Sequence, residues 1–227
     1  MRQARVIACC LAGIVLWHAS VAFAQAADTP PRFDVGMGVL WAGSQPLGTQ
    51  AANESTATGG TLALFSSSSE LAAAAGLEAR IGVRLTHSLV AEADASYLTP
   101  PLRIAISGDT ENAAVVTATE TIQQFTIGGN LLWYLPHRAA APRLAPFALA
   151  GAGYLRQLHD RATLVETGHY YQFGGGATYL LVTGRRFHTK GVGARVDVRA
   201  LVRSKGVAFD AGAHTSPAFG ASVFVRF

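Results

Sequence analysis

From residue 33 onward, apolar side chains recur at every second position, which is the period of a β-strand and not of a helix. Phe33, Val35, Met37, Val39 and Trp41 alternate with Asp34, Gly36 and Gly38. Leu77, Ala79, Ile81, Val83 and Leu85 alternate with Glu78, Arg80, Gly82, Arg84 and Thr86, so one face is apolar and the other charged. In the third segment Leu89, Ala91, Ala93, Ala95 and Tyr97 oppose Glu92, Asp94 and Ser96. A fourth, over 121–135, sets Phe125, Ile127, Leu131 and Trp133 against Gln124, Thr126, Gly128 and Asn130. The fifth, over 147–155, is so rich in Ala and Gly that neither face stands out. The sixth (171–181) alternates Phe173, Gly175, Ala177, Tyr179 and Leu181 with Gln172, Gly174, Gly176 and Thr178, and the seventh (190–203) places Arg195, Asp197 and Arg199 opposite a run of Val and Ala. Phe219, Ala221, Val223, Val225 and Phe227 share a face of the eighth.

The connections alternate as well. Long polar stretches follow the first, third, fifth and seventh segments, and shorter ones follow the second, fourth and sixth. That regularity predicts an all-β chain: an eight-stranded antiparallel up-and-down barrel with long loops at one end and short turns at the other. A soluble ligand-carrying barrel has the same period with the opposite sense. Aromatic placement favours the apolar face pointing outward into lipid. Phe33, Trp133, Phe147, Tyr179 and Phe227 fall at the short-turn ends and Trp41, Tyr97, Phe173 and Phe219 at the long-loop ends, as two interfacial girdles.

Composition sharpens this picture. The 227 residues are 50% hydrophobic and only 14% charged, yet beyond residue 26 no apolar run is long enough to span a bilayer as a helix. Arg2 and Arg5, the apolar stretch from Val6 to Trp17 and the small residues around Ala24 read as a cleaved signal peptide over 1–26, cut after Ala24 or Ala26 and leaving a barrel over 27–227. Both cysteines, Cys9 and Cys10, lie early in that leader, so the exported chain is expected to have no thiol and no lipid anchor. The formal charge of +4 is spread thinly, which argues against nucleic acid as a partner.

If the polar face is the lumen, it collects five acids (Asp34, Glu78, Glu92, Asp94 and Asp197) and five bases (Arg80, Arg84, Arg195, Arg199 and Arg226). With Leu85 paired to Leu89, Arg80 lies opposite Asp94, and Glu92 lies diagonal to Arg80 and Arg84. An eight-stranded barrel is just wide enough for side chains to fill it, so these groups are expected to form a salt-bridged plug. Two alternatives stay open: a narrow porin-like channel, and a lipid A-modifying enzyme using His214 and Ser216 with Asp210 as orienting acid. The remaining histidines, His87, His137, His159, His169 and His188, stand singly without metal-ligand spacing, so neither metal nor cofactor is expected. The long connections are rich in Ala, Ser, Thr, Gly and Asn, as mobile exposed loops are, and the first carries an apolar patch, 62–65, able to pack over the barrel mouth.

The closing residues Ala221-Ser222-Val223-Phe224-Val225-Arg226-Phe227 resemble the assembly signal of bacterial outer-membrane barrels, with Val223, Val225 and the terminal Phe227 in alternation. The glycine-rich stretches 146–154 and 172–179 and the run 193–199 resemble strands of the small OmpA-like outer-membrane barrel family. The resemblance implies a location in the bacterial outer membrane, contact with outer-membrane lipid and lipopolysaccharide, and insertion by the barrel-assembly machinery through the last strand. Members of that family differ widely in role; for this chain a non-enzymatic monomer with a structural or surface-interaction role is expected.

Overall fold

The computed structural model describes residues 33–55, 59–107, 115–135, 143–159, 164–186, 189–207 and 212–227. The expected leader, His137, His188, Asp210 and the side chains of Leu62 and Ala63 lie outside the described residues. Among those described, every regular element is a strand. There are β1 (Phe33–Ala42), β2 (Gln45–Ser55), β3 (Thr61–Leu71), β4 (Ala74–Arg84), β5 (Leu89–Leu98) and β6 (Pro101–Ser107). They are followed by β7 (Val116–Thr121), β8 (Gln123–Tyr134), β9 (Leu144–Leu158), β10 (Val165–Arg186), β11 (Thr189–Lys205) and β12 (Ala213–Arg226).

Eight of them close into an antiparallel barrel in the order β1-β12-β11-β10-β9-β8-β5-β4. The first strand closes it, pairing on one side with β12, from Asp34↔Arg226 to Ala42↔Ala218, and on the other with β4, from Phe33↔Val83 to Ala42↔Ala74. Closure leaves no edge, so backbone donors and acceptors around the ring find partners within the sheet. The start of β1 and the end of β12 meet at the short-turn end, where the Phe227 amide donates to the Phe33 carbonyl at 2.8 Å. At that same end the Leu85 amide donates to the Leu89 carbonyl at 2.9 Å, fixing the tight β4–β5 turn and with it the Arg80↔Asp94 register.

The period-two pattern decides which way each side chain points. Met37, Leu77, Ile81, Ile127, Leu131, Val196 and Val223 stand exposed on the outer surface, while Glu78, Arg80, Asp94, Arg195, Asp197 and Arg199 are buried inside. Aromatic rings gather at both rims. Trp41 and Phe219 pair at 5.3 Å and Tyr97 and Phe125 at 4.7 Å toward the long-loop end, with Phe173 exposed nearby; Phe33, Trp133, Tyr179 and Phe227 are exposed toward the other. Phe147 departs from the expected girdle. It points inward and is buried, because its register neighbours Tyr134 and Gly176 are themselves inward positions. The Ala and Gly flanks of β9 had left its parity unmarked.

The long connections also differ from expectation. Part of their length is consumed by strand: β10 and β11 run well past the alternating segments, so only 159–164 separates β9 from β10. The first two connections fold into a second, four-stranded antiparallel sheet in the order β2-β3-β6-β7. Hairpins β2–β3 and β6–β7 join through β3 and β6, from Ser66↔Ser107 to Leu71↔Leu102. Serine and threonine support this, since Thr suits an extended half-buried surface and the Ser66–Ser69 run is short enough to ride between better formers. A bulge between Pro46 and Gly48 bends β2, and Gly48 takes it at φ 110°, a backbone conformation that costs other residues energy. The sheet has a core of its own, Leu47, Leu71, Leu102 and Ile122, with Ile104 and Val207 against it. Ile122 is fully buried there, so Ile122→Ala should cost about 2–5 kcal/mol locally. Hydrogen exchange should then quicken in β6 and β7 and stay unchanged in β8 to β12.

Candidate functional site: the barrel lumen

The interior is stacked in layers. Nearest the short turns lies an apolar cluster of Val90, Leu132, Tyr134, Phe147 and Leu149. Toward the long-loop end a second cluster holds Leu40, Leu98, Leu155, Tyr170, Leu201 and Ala218. Between them sit the ionised side chains, placed by strands from opposite walls of the barrel. Asp197 on β11 is central, with 0% of its side chain exposed. It accepts from Arg80 at 3.0 Å, from Arg195 Nε at 3.0 Å and from Arg199 Nε, its two neighbours at i−2 and i+2 on the same strand face.

Each arginine then reaches a second acid. Arg199 grips Glu78 with both terminal nitrogens at 2.6 and 2.9 Å. This is the two-pronged geometry that favours Arg over Lys. Arg195 donates to Glu92 at 2.6 Å, and its guanidinium lies 4.4 Å from the centre of the Phe147 ring. Arg80 also donates to the Ser222 hydroxyl and sits 3.6 Å from Glu78. Three cations and three anions are thereby joined across β4, β5 and β11.

Asp94 is held otherwise than the register suggests. Arg80 lies opposite it yet reaches across the lumen to β11 and β12, and Asp94 is satisfied by neutral donors: Asn130 at 2.7 Å, Tyr170 Oη at 3.2 Å and Gln172 at 3.3 Å. Gln172 also donates to Asn130 at 2.6 Å and accepts from Arg199 at 3.2 Å, tying the amides to the ion pairs. Gly128 and Gly153 leave room for the Tyr170 ring, since a Cβ at either would meet it. The sequence had placed Asn130 and Gln172 on the polar face without a partner, and it gave no sign of Tyr170, which precedes the alternating stretch.

The other expected members lie apart. Arg226 and Asp34 form a separate two-pronged pair at 2.8 and 3.0 Å near the short-turn end. Arg84 donates to the His87 carbonyl at 3.1 Å and lies over the Tyr134 ring, outside the central network. A further cation, Arg203, went unnoticed although it continues the Arg195, Asp197, Arg199 alternation; it is buried and donates to Gln45 of the four-stranded sheet at 2.9 Å. His159 supports the same junction. Its Nδ1 lies 3.1 Å from both oxygens of Glu120, at the end of β7. Ser216 faces the lumen and is 1% exposed, away from the lipid side where lipid-modifying chemistry needs a hydroxyl. Among the described residues, no cluster of three His, Cys, Asp or Glu could hold a metal ion.

Little open space remains. A cavity of about 30 Å³ touches Asp34, Arg80, Glu92, Tyr134, Arg195 and Ser222. Another of about 20 Å³ touches Glu78, Asp94, Tyr170, Gln172, Arg199 and Arg203. Each is large enough for a water or two. Arg80 lines the first and Glu78 and Arg199 the second, and Asp197 bonds to both arginines.

Strand number, closure and an apolar exterior with an ionised interior are together decisive for the fold. The chain folds as a small closed eight-stranded antiparallel β-barrel. Among solved structures it is similar to Neisserial surface protein A, with 13% identity and a TM-score of 0.49 over 86% of this chain and 97% of that one. It is also similar to the outer membrane protein OprG of Pseudomonas aeruginosa, with 10% identity and a TM-score of 0.49 over 86% of this barrel and 95% of that chain. A third likeness is to Ail, the attachment invasion locus protein of Yersinia pestis, in complex with the heparin analogue sucrose octasulfate, with 8% identity and a TM-score of 0.42 over 88% and 100% of the two chains. No protein-family model and no curated protein matches the sequence.

Removing Asp197 from this barrel leaves three buried guanidiniums short of an acceptor. Breaking a buried ion pair from one side costs about 3–5 kcal/mol, so Asp197→Ala should lower stability by that order in a denaturant titration of the folded barrel. Asp34→Ala, at the partly exposed pair, should cost clearly less in the same titration.

Proposed function

We propose that the protein is an integral outer-membrane barrel with a structural or surface-interaction role, exported by its amino-terminal leader and closed to solutes by the ion pairs in its lumen. The single observation that carries this reading is the sorting of side chains, with apolar residues on the outside of all eight strands and ionised ones within. Such an exterior in water would expose far more contiguous apolar surface than a soluble monomer tolerates. In a bilayer it is matched to its surroundings, and the aromatic rims sit at the two interfaces.

The closed lumen is supported by its size and filling. Ion pairs span the middle, apolar layers lie on both sides, and the two small cavities are lined by members of the network. The surface role is supported by the four-stranded sheet. It presents β7 at an open edge and exposes Phe65, Ile106, Val115 and Val116 beyond the barrel. An open edge offers backbone donors and acceptors to an extended partner segment.

The purified protein should insert into lipid vesicles and migrate on gels as a compact form that heating abolishes. In planar bilayers it should give no discrete conductance steps, whereas Arg80→Ala, which removes a side chain lining the first cavity, should give intermittent ones. Steps from the unmodified protein would overturn the closed lumen. Deleting Phe227 tests the last strand as the handle for the assembly machinery. Outer-membrane yield should fall several-fold while export to the periplasm persists, and an unchanged yield would count against it.

A further inference from the structure

Across the outward faces of the eight barrel strands, one ionised side chain stands among the residues whose side chains are described, Arg156 on β9. A charge on this face is tolerated only near an interface, and Arg156 is at one: it pairs in register with Phe125, whose ring stacks on Tyr97 in the long-loop girdle. Its surroundings are polar on one side. Across from it on β10 is Thr167, and two residues along the same face is His169, which lies opposite Tyr154 and touches that ring edge-on at 6.1 Å. Directly opposed side chains on a sheet start about 5 Å apart and diagonal ones within about 8 Å, so the guanidinium, hydroxyl and imidazole are within reach of one tetrahedral anion. All three are exposed.

A second feature leads away from this cluster. Toward the membrane middle, β9 presents Ala152, Ala150 and Ala148 outward, with Gly129 on β8 and Gly175 on β10 beside them in register. The small residues make a shallow furrow down the outer wall. Leu131 and Ile127 stand on its β8 side and Phe173 and Tyr171 on its β10 side, all exposed. An alkyl chain lying in the furrow would gain contact with both walls, and its head would arrive at Arg156.

We propose that Arg156, Thr167 and His169 form a phosphate-binding site for an acylated, phosphorylated lipid of the outer leaflet, whose chain occupies the alanine furrow on β9. The guanidinium donates two hydrogen bonds to phosphate oxygens, the Thr167 hydroxyl a third and the imidazole N–H a fourth. Tyr154 and Tyr171 flank the head group at the level where amphipathic rings settle. This site rests on the membrane-spanning reading above. It adds to it a fixed lipid on one side of a barrel whose other described outward positions carry no ionised side chain.

The test uses the exported protein purified in detergent, stripped of lipid and titrated with bis-phosphorylated lipid A, its phosphate-free counterpart, or inorganic phosphate, with bound lipid counted by native mass spectrometry. Arg156→Gln should weaken the phosphorylated lipid about tenfold, the weight of one charge-assisted contact. Ala150→Leu, which fills the furrow without touching a polar group, should weaken it as well, and Arg103→Gln, an equal charge change on the four-stranded sheet, should leave it unaltered. Inorganic phosphate at millimolar levels should not displace the lipid. Full retention by Arg156→Gln, equal binding of the phosphate-free lipid, or displacement by free phosphate would each overturn the site. The compact unboiled gel form, checked for every variant, separates these outcomes from failure of the barrel itself: if the unmodified protein does not fold in detergent or vesicles, the membrane reading fails first.

Discussion

The Asp197 carboxylate is the point on which the interior turns. An eight-stranded barrel has a lumen about one layer of side chains deep on each wall, so a long arginine from one strand can reach the opposite wall. At Asp197 three such arginines converge, two from its own strand and one from β4. Each of them would be prohibitive to bury alone, and each is tolerable because it also donates to Glu78, Glu92 or a neutral oxygen. The network therefore ties β4, β5 and β11 together through the axis, and the Asp94 cluster adds β8 and β10 to the same interior.

Glycine makes this packing feasible at a few positions. A Cβ at Gly220 would meet the Asp197 carboxylate and the Arg199 guanidinium, and Phe147 can turn inward because Gly176 stands opposite it. Small wall residues and large central ones are thus complementary on the inner face. The outer face follows the opposite logic, with bulky aliphatic and aromatic residues on most strands and small ones confined mainly to β5 and β9. The same alternation that sends a residue in or out also decides whether its size matters to the interior packing or to the outer surface.

The barrel was legible because a period of two, repeated eight times, has one economical reading once the aromatic rims give it a sense. The register around the β4–β5 turn could also be read, since three residues leave little freedom. What the sequence did not reveal has a common physical cause: contacts across the lumen depend on barrel radius, and radius is not written into any one strand. Arg80 was thus matched with Asp94, its neighbour on the sheet, when its length carries it to Asp197. Phe147 was misplaced because Ala and Gly on both faces of β9 erase the parity signal. The second sheet was missed because Ser, Thr and Gly serve loops and edge strands equally well, and its apolar core is contributed by residues far apart in the chain, from Leu47 to Val207.

Arg156 and Arg203 show how strictly parity governs chemistry near the long-loop end. Arg203 falls on an inward position, and its charge is met by the amide oxygen of Gln45, a residue of the first inserted hairpin. The inserted hairpin thereby supplies the acceptor that a buried cation at that depth requires. Arg156 falls outward and is exposed, in register with Phe125 of the long-loop aromatic pair. Moved by one position, each cation would change faces: Arg156 would enter the barrel interior and Arg203 would leave it for the apolar outer surface beside Tyr171. The side of the wall on which each arginine falls therefore fixes the chemistry open to it.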